Sequence, residues 1–289
     1  MDKMTILNHP LNGATVAIAT MHCKEKTIGP ILNRWYNVNL VVADDVNTDA
    51  LGTFTGEIPR FGSMLDAARQ KALLAIERTG EFIGIGSEGA FGPHPLIHFL
   101  ASGLEVIVLH DARLNHDVVV QRRTQTNYDS ITLKPSDDAS PFLDRIKFPN
   151  HAVIVRPEKT NDPSINIKGI KDIRSFNLAI KDLSALSTNN SVIVQTDMRA
   201  HMNPTRMKSI ALLTKLLAIR TARLCPECNS PGFGLTDVMR GLPCETCGLP
   251  TNRIRAEIHR CTKCNYQLLK RERSINMRAD TVWCNVCNP

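Results

Sequence analysis

Apolar positions in the first half of the chain fall into short runs whose period switches between that of a strand and that of a helix. Thr15-Val-Ala-Ile-Ala-Thr20 predicts a first strand. Met21 to Lys26 turns into a helix reaching about Tyr36, with Pro30 near its first turn or kinking it. Val38 to Ala43 predicts a second strand. Asp44 to Phe61 carries no period and holds Gly52-Thr-Phe-Thr-Gly-Glu57, rich in hydroxyls and glycine; structureless stretches of that length are usually functional or disordered. Ser63 to Thr79 is the clearest helix. Leu65, Ala68, Ala72, Leu73 and Ile76 share one face, Ser63 suits the N-cap, and Asp66 completes an acidic variant of the capping box.

That helix delivers the chain into Phe82-Ile-Gly-Ile-Gly86, an apolar run suited to a buried strand. Two β-rich runs follow, Leu104 to His110 and Asp117 to Thr124, joined as a hairpin. Further along, the pattern predicts a short helix over 141–147, a strand over 151–156, an amphipathic helix over 172–186, a strand over 191–196 and a long helix over 204–223. The expected fold is α/β, a mixed twisted sheet with helices on both faces, occupying residues 1–223.

Two polar clusters interrupt this pattern where strands are expected to end. Ser87, Glu88 and His94 lie among glycines and prolines after the buried run, where open α/β sheets place ligand sites. Asp197 to Arg206 follows the last strand. Asn203 then Pro204 is a helix start, whose free N–H groups favour an anion, with Arg199 and Arg206 beside it.

Eight of the nine cysteines lie after Leu224, in the pairs Cys225/Cys228, Cys244/Cys247, Cys261/Cys264 and Cys284/Cys287. Two thiolates three residues apart supply half of a tetrahedral zinc site. Four pairs therefore predict two closed, structural four-cysteine zinc sites in a double zinc-ribbon domain over 224–289. Sequential pairing of neighbours is favoured slightly over a nested arrangement that joins the two inner pairs. Cys23 stands outside this set and carries no nucleophile signature.

The formal charge of +7 falls to about +3 once each zinc tetrathiolate counts as about −2. Basicity is then weak evidence for nucleic acid. Arg253 to Arg273, which includes Tyr266, remains a candidate surface for RNA, DNA or another protein. No run approaches eighteen apolar residues, and the first residues lack the order of a secretion signal, so a cytoplasmic protein with no membrane contact is expected.

Taken together, Gly-Thr-Phe-Thr-Gly-Glu (52–57), Ser-Glu-Gly-Ala-Phe-Gly-Pro-His-Pro (87–95), Thr-Asp-Met-Arg-Ala-x-Met-Asn-Pro-Thr-Arg-Met (196–207) and the four cysteine pairs resemble a bacterial family known only as a domain of unknown function. Residues 15–125 also resemble the inosine/xanthosine triphosphate pyrophosphatase fold. Ala19-Thr20 matches the end of that family's first strand. Lys24 and Lys26 flank Glu25 at its lysine position. Ser63-Met64-x-Asp66-Ala67-Ala68-x-x-Lys71-Ala72 matches its helix, and Pro204-Thr205-Arg206 is similar to the motif before its last helix.

This second resemblance implies a Mg²⁺-dependent hydrolase that releases pyrophosphate from nucleoside triphosphates. Glu88, Asp66 and Glu57 would be its catalytic and magnesium-holding carboxylates. Thr20, Lys24, Lys26, Thr53, Lys71, Arg199 and Arg206 would contact phosphate. The alternative is a nucleotide- or RNA-binding module with structural zinc ribbons and no catalysis.

Overall fold

The computed structural model describes residues 8–44, 46–48, 62–160, 162, 164–271 and 277–289. The chain divides into two compact units. The first holds the residues up to Asn115 together with Val119–Leu217; the second holds His116–Val118 and Ala218–Pro289. No helix among the described residues is long and apolar enough to cross a membrane.

In the first unit, strand β1 (Thr15–Ile18) leads through helix α1 (Glu25–Tyr36) to β2 (Asn39–Val42). Helix α2 (Met64–Thr79) leads to β3 (Ile83–Pro93), which turns back into β4 (Ala101–Asp111), followed by β5 (His116–Gln125). These strands form a mixed sheet of order β2-β1-β3-β4-β5. β1 lies parallel to both β2 and β3, while β3 and β4 are antiparallel.

Register assigns the faces. Ala17 pairs with Gly84, and Ala17, Ala19 and Ala43 pack on Ala75 of α2. On β4, Val106 and Val108 pack on Ala68 of the same helix. Small residues let α2 lie close to the sheet. A Cβ on Gly84 would stand 2.2 Å from the Ala72 carbonyl oxygen, and one on Gly86 1.7 Å from that of Ala68. On the opposite face, Gly29 of α1 rests on Leu40 of β2. Helices therefore cover both faces. Ser63 and Asp66 form the expected capping box on α2.

The polar run after Gly86 is not the loop its glycines and prolines suggest. β3 continues to Pro93, paired with β4 from Ile83↔Asp111 to Pro93↔Ala101. An antiparallel partner in unbroken register keeps the run extended, so tertiary pairing overrides local propensity.

The remainder of the unit builds a second sheet, absent from the single-sheet expectation. Strands β6 (Ser130–Leu133), β7 (Val153–Pro157), β8 (Ile167–Ile170) and β9 (Val192–Thr196) take the order β6-β9-β7-β8, all antiparallel. Helices α3 (Ser140–Ile146) and α4 (Ile173–Ala185) cover it. Phe142, Ile146, Phe176 and Leu183 pack on Leu133, Val153, Val155, Val192 and Val194. Each such buried side chain contributes about 1.5–3 kcal/mol. After β9, a 3-10 turn (Ala200–Met202) leads into α5 (Pro204–Thr221).

The second unit is built on a sheet of β10 (Gly234–Arg240), β11 (Ile254–Arg260) and β12 (Gln267–Lys270), antiparallel throughout.

Candidate functional site

In the first sheet the chain steps from β1 outward to β2, then back across β1 to β3. The C-terminal ends of β1 and β3 thus form a topological switch point, the place where open α/β sheets bind ligands. β1 pairs with β3 at Ala17↔Gly84 and Ile18↔Ile85. β3 runs on beyond that point, and the segment between β1 and α1 brings Lys24 against it. The Lys24 ammonium nitrogen lies 2.9 Å from the Ser87 carbonyl oxygen and 3.4 Å from its hydroxyl.

Alternation along β3 then sends charge to both faces. Glu88 points to the α2 side, where Lys71 Nζ meets its Oε2 at 2.6 Å. Glu105 of β4 pairs in register with Gly89 and faces the other side. There Arg206 of α5 donates from Nε to Glu105 Oε1 at 2.7 Å and from Nη1 to the Met198 carbonyl at 2.6 Å. The Arg206 guanidinium also lies over the Phe91 ring at 4.9 Å. A Cβ on Gly89 would sit 2.5 Å from Arg206 Nη2, so glycine makes room for this contact. Asn203 caps α5: its Oδ1 accepts from the Arg206 N–H at 2.9 Å.

Lys24, Lys71, Glu88, Glu105 and Arg206 are all buried, each no more than 8% exposed. Two ion pairs, one on each face of the sheet, and the amino group of Lys24 therefore lie out of water. Burial lowers the Lys24 pKa to about 7, aided by Arg206 and Lys71 and opposed by Glu88 and Glu105. Among the described residues no carboxylate forms an ion pair with Lys24.

Of the residues expected from sequence, Lys71 and Glu88 pair on the α2 face of the β3–β4 segment, Arg206 reaches its other face, and Lys24 bonds β3 itself at Ser87. Arg199 does not join them; it grips the fully buried Asp197, with Nη2 to Oδ2 at 2.6 Å. Asp66 is spent on the α2 cap, accepting from Ser63 N–H at 3.0 Å and Ser63 Oγ at 2.7 Å, and those bonds lower its pKa. Lys26 is exposed, and half-buried Thr20 accepts from the His22 N–H at 3.3 Å. Glu57 and Thr53 lie outside the described residues. Glu105 was missed. Its signal was a lone carboxylate inside an apolar strand, Leu104-Glu-Val-Ile-Val-Leu109. His22, two residues before Lys24, stacks on His201 at 5.1 Å between ring centroids, tying the loops that precede α1 and α5.

In the second unit the cysteines form two tetrads, and neither expected pairing is observed. Cys225 and Cys228 join Cys261 and Cys264; Cys244 and Cys247 join Cys284 and Cys287. Ligand sulfurs within each tetrad lie within 4.8 Å of one another. Contacts of 3.7 Å (Cys225–Cys264), 3.6 Å (Cys228–Cys261) and 3.6 Å (Cys247–Cys284) match the edge of a tetrahedron with Zn–S bonds of about 2.3 Å. Backbone N–H groups of Lys263 and Cys264 donate to the Cys261 sulfur at 3.3 Å. Left-handed residues Asn229 (φ 56°) and Gly248 (φ 72°) close the first two knuckles. Both tetrads fit a structural zinc ion with no open coordination position.

The interleaving follows from strand register. Gly234, the first residue of β10, pairs with Arg260, the last of β11. Cys225/Cys228 precede β10 and Cys261/Cys264 follow β11, so these two pairs meet at one end of the sheet. Cys244/Cys247 leave β10 at the other end, where Cys244 bridges to Ala279 just before the fourth pair.

No curated protein and no solved structure matches the chain. The model of a family described as a domain of unknown function, DUF6671, matches residues 71–289, which include Lys71, Glu88, Glu105, Arg206 and all eight clustered cysteines, and the chain belongs to that family.

Proposed function

We propose that the first unit binds a phosphorylated small molecule of nucleotide class at the switch point between β1 and β3. The observation that carries this reading is Lys24, a buried amino group without a carboxylate partner among the described residues, at the strand ends where α/β sheets take ligands.

The ion pairs favour binding over magnesium-dependent hydrolysis. Glu88 is held by Lys71 and Glu105 by Arg206, so a divalent cation would have to compete with a buried partner at either carboxylate. The test is a thermal-shift panel of nucleoside mono-, di- and triphosphates, with and without Mg²⁺. At a hundredfold excess over Kd, a ligand that prefers the native state stabilises it by about 2.7 kcal/mol. A shift seen in the wild type and lost in Lys24→Met supports the reading; no shift with any member refutes it. Pyrophosphate release measured in the same panel decides whether the site also turns its ligand over.

For the zinc unit, charge favours a protein partner over RNA. Residues 218–289 hold eleven Lys and Arg against six Asp and Glu, an excess of five. Two zinc tetrathiolates of about −2 each cut it to about one. The outer strand β12 exposes Leu268 and Leu269, 43% and 49% accessible. Salt-sensitive RNA retention by the zinc-loaded protein, lost on charge reversal at Arg253, Arg255 and Arg260, would overturn this assignment.

A further inference from the structure

We propose that the anion enters the switch point together with a proton, which Lys24 takes up to become the ammonium that pairs with it. This rests on the anion-binding reading above and adds to it the protonation state and charge class of the ligand. The argument is one of buried charge. Lys71 with Glu88 on one face of the sheet and Arg206 with Glu105 on the other each sum to zero, so neither pair has a charge to spare for Lys24. A fifth, charged group at Lys24 leaves one uncompensated positive charge out of water, which is costly. The two atoms Lys24 touches, the Ser87 carbonyl and hydroxyl oxygens, are both neutral. An amine is the form that suits the ligand-free site, and an ammonium the form that suits a site holding a phosphate dianion.

The charged groups facing Lys24 are Lys71 from α2, Glu88 from β3, Glu105 from β4 and Arg206 from α5. Cys23, next to Lys24 in the chain, and the His22–His201 stack in the same loop are further titratable neighbours. The lowered Lys24 pKa accords with this assignment.

The experiment is calorimetric titration of the full, zinc-loaded chain with sulfate, a dianion whose own charge is constant near neutrality. It is run in two buffers of different ionisation enthalpy, so that the difference in heat counts protons. At about pH 7.5 more than half a proton should be taken up per sulfate bound, with affinity falling up to tenfold per pH unit above that. Lys24→Arg, charged at every accessible pH, should bind without uptake and without that slope. Sulfate binding with no proton uptake in the wild type overturns the inference and leaves the anion site standing. Uptake that persists in Lys24→Arg overturns it too, since the proton then belongs to Cys23 or the histidine stack. If sulfate fails while a nucleotide still shifts the melting temperature, this inference alone falls; if both fail, the parent reading falls with it.

Discussion

At the scale of single residues, a lysine and a glutamate set the terms. Lys24 has a folded pKa near 7 against about 10.4 unfolded. Between those values the unfolded chain holds more protons than the folded one, so the Lys24 contribution to stability rises with pH across that window. Below about pH 7 the full cost of the buried ammonium is present. Lys24→Met should therefore stabilise the ligand-free protein at acidic pH by several kcal/mol, with the gain shrinking as pH climbs toward 10; urea midpoints at both ends measure it. A variant less stable than wild type at every pH would contradict the burial argument. Glu105 works in the opposite sense. Glu105→Ala leaves the Arg206 guanidinium buried without its partner and should cost about 3–5 kcal/mol. Lys24 was named only through a family resemblance whose lysine position falls on Glu25, and nothing in the sequence says that it, and not Lys26, is the one turned inward. Glu105 was not, because nothing in an apolar strand's sequence says which cation from a helix 101 residues later will reach it.

At the scale of elements, β3 and α5 position the site. The sequence shows β3 as a strand but misplaces its end, since glycine and proline in isolation signal a loop. Their roles here differ. Gly84 and Gly86 let α2 approach, and Gly89 admits Arg206. Gly86→Ala would drive a methyl group to 1.7 Å from a helix carbonyl, so α2 must lift, and Lys71 with it. The expected outcome is a loss of about 1–3 kcal/mol or more, together with weaker ligand shifts. The α5 start was read correctly, since a cap followed by proline is a local signal. Asn203→Ala should cost about 1 kcal/mol through the lost bond to the Arg206 N–H, and more if Arg206 shifts from Glu105. The second sheet resisted a sequence reading because β6 and β8 are four residues each and become strands only through partners distant in the chain.

At the scale of the whole molecule, the cysteine-rich tail shows what spacing can and cannot say. Four Cys-x-x-Cys pairs determine the donor chemistry and the number of sites, but every pairing of them closes two tetrahedra. The order of the strands decides among them, and an antiparallel β10-β11 pair brings the first and third knuckles to the same end. Because zinc affinity in such sites is largely folding free energy, losing even one thiolate should empty its site and unfold that end of the sheet. Zinc content of double variants then reads the topology directly. Cys225→Ser with Cys261→Ser strikes one tetrad twice and should retain about one zinc per chain. Cys225→Ser with Cys244→Ser strikes both and should retain none. Sequential pairing predicts the reverse, and nested pairing predicts none in either, with about one retained when Cys225 and Cys284 are replaced together. Metal analysis after gel filtration separates the three. Circular dichroism in the same samples should show the loss confined to part of the strand signal in the first variant.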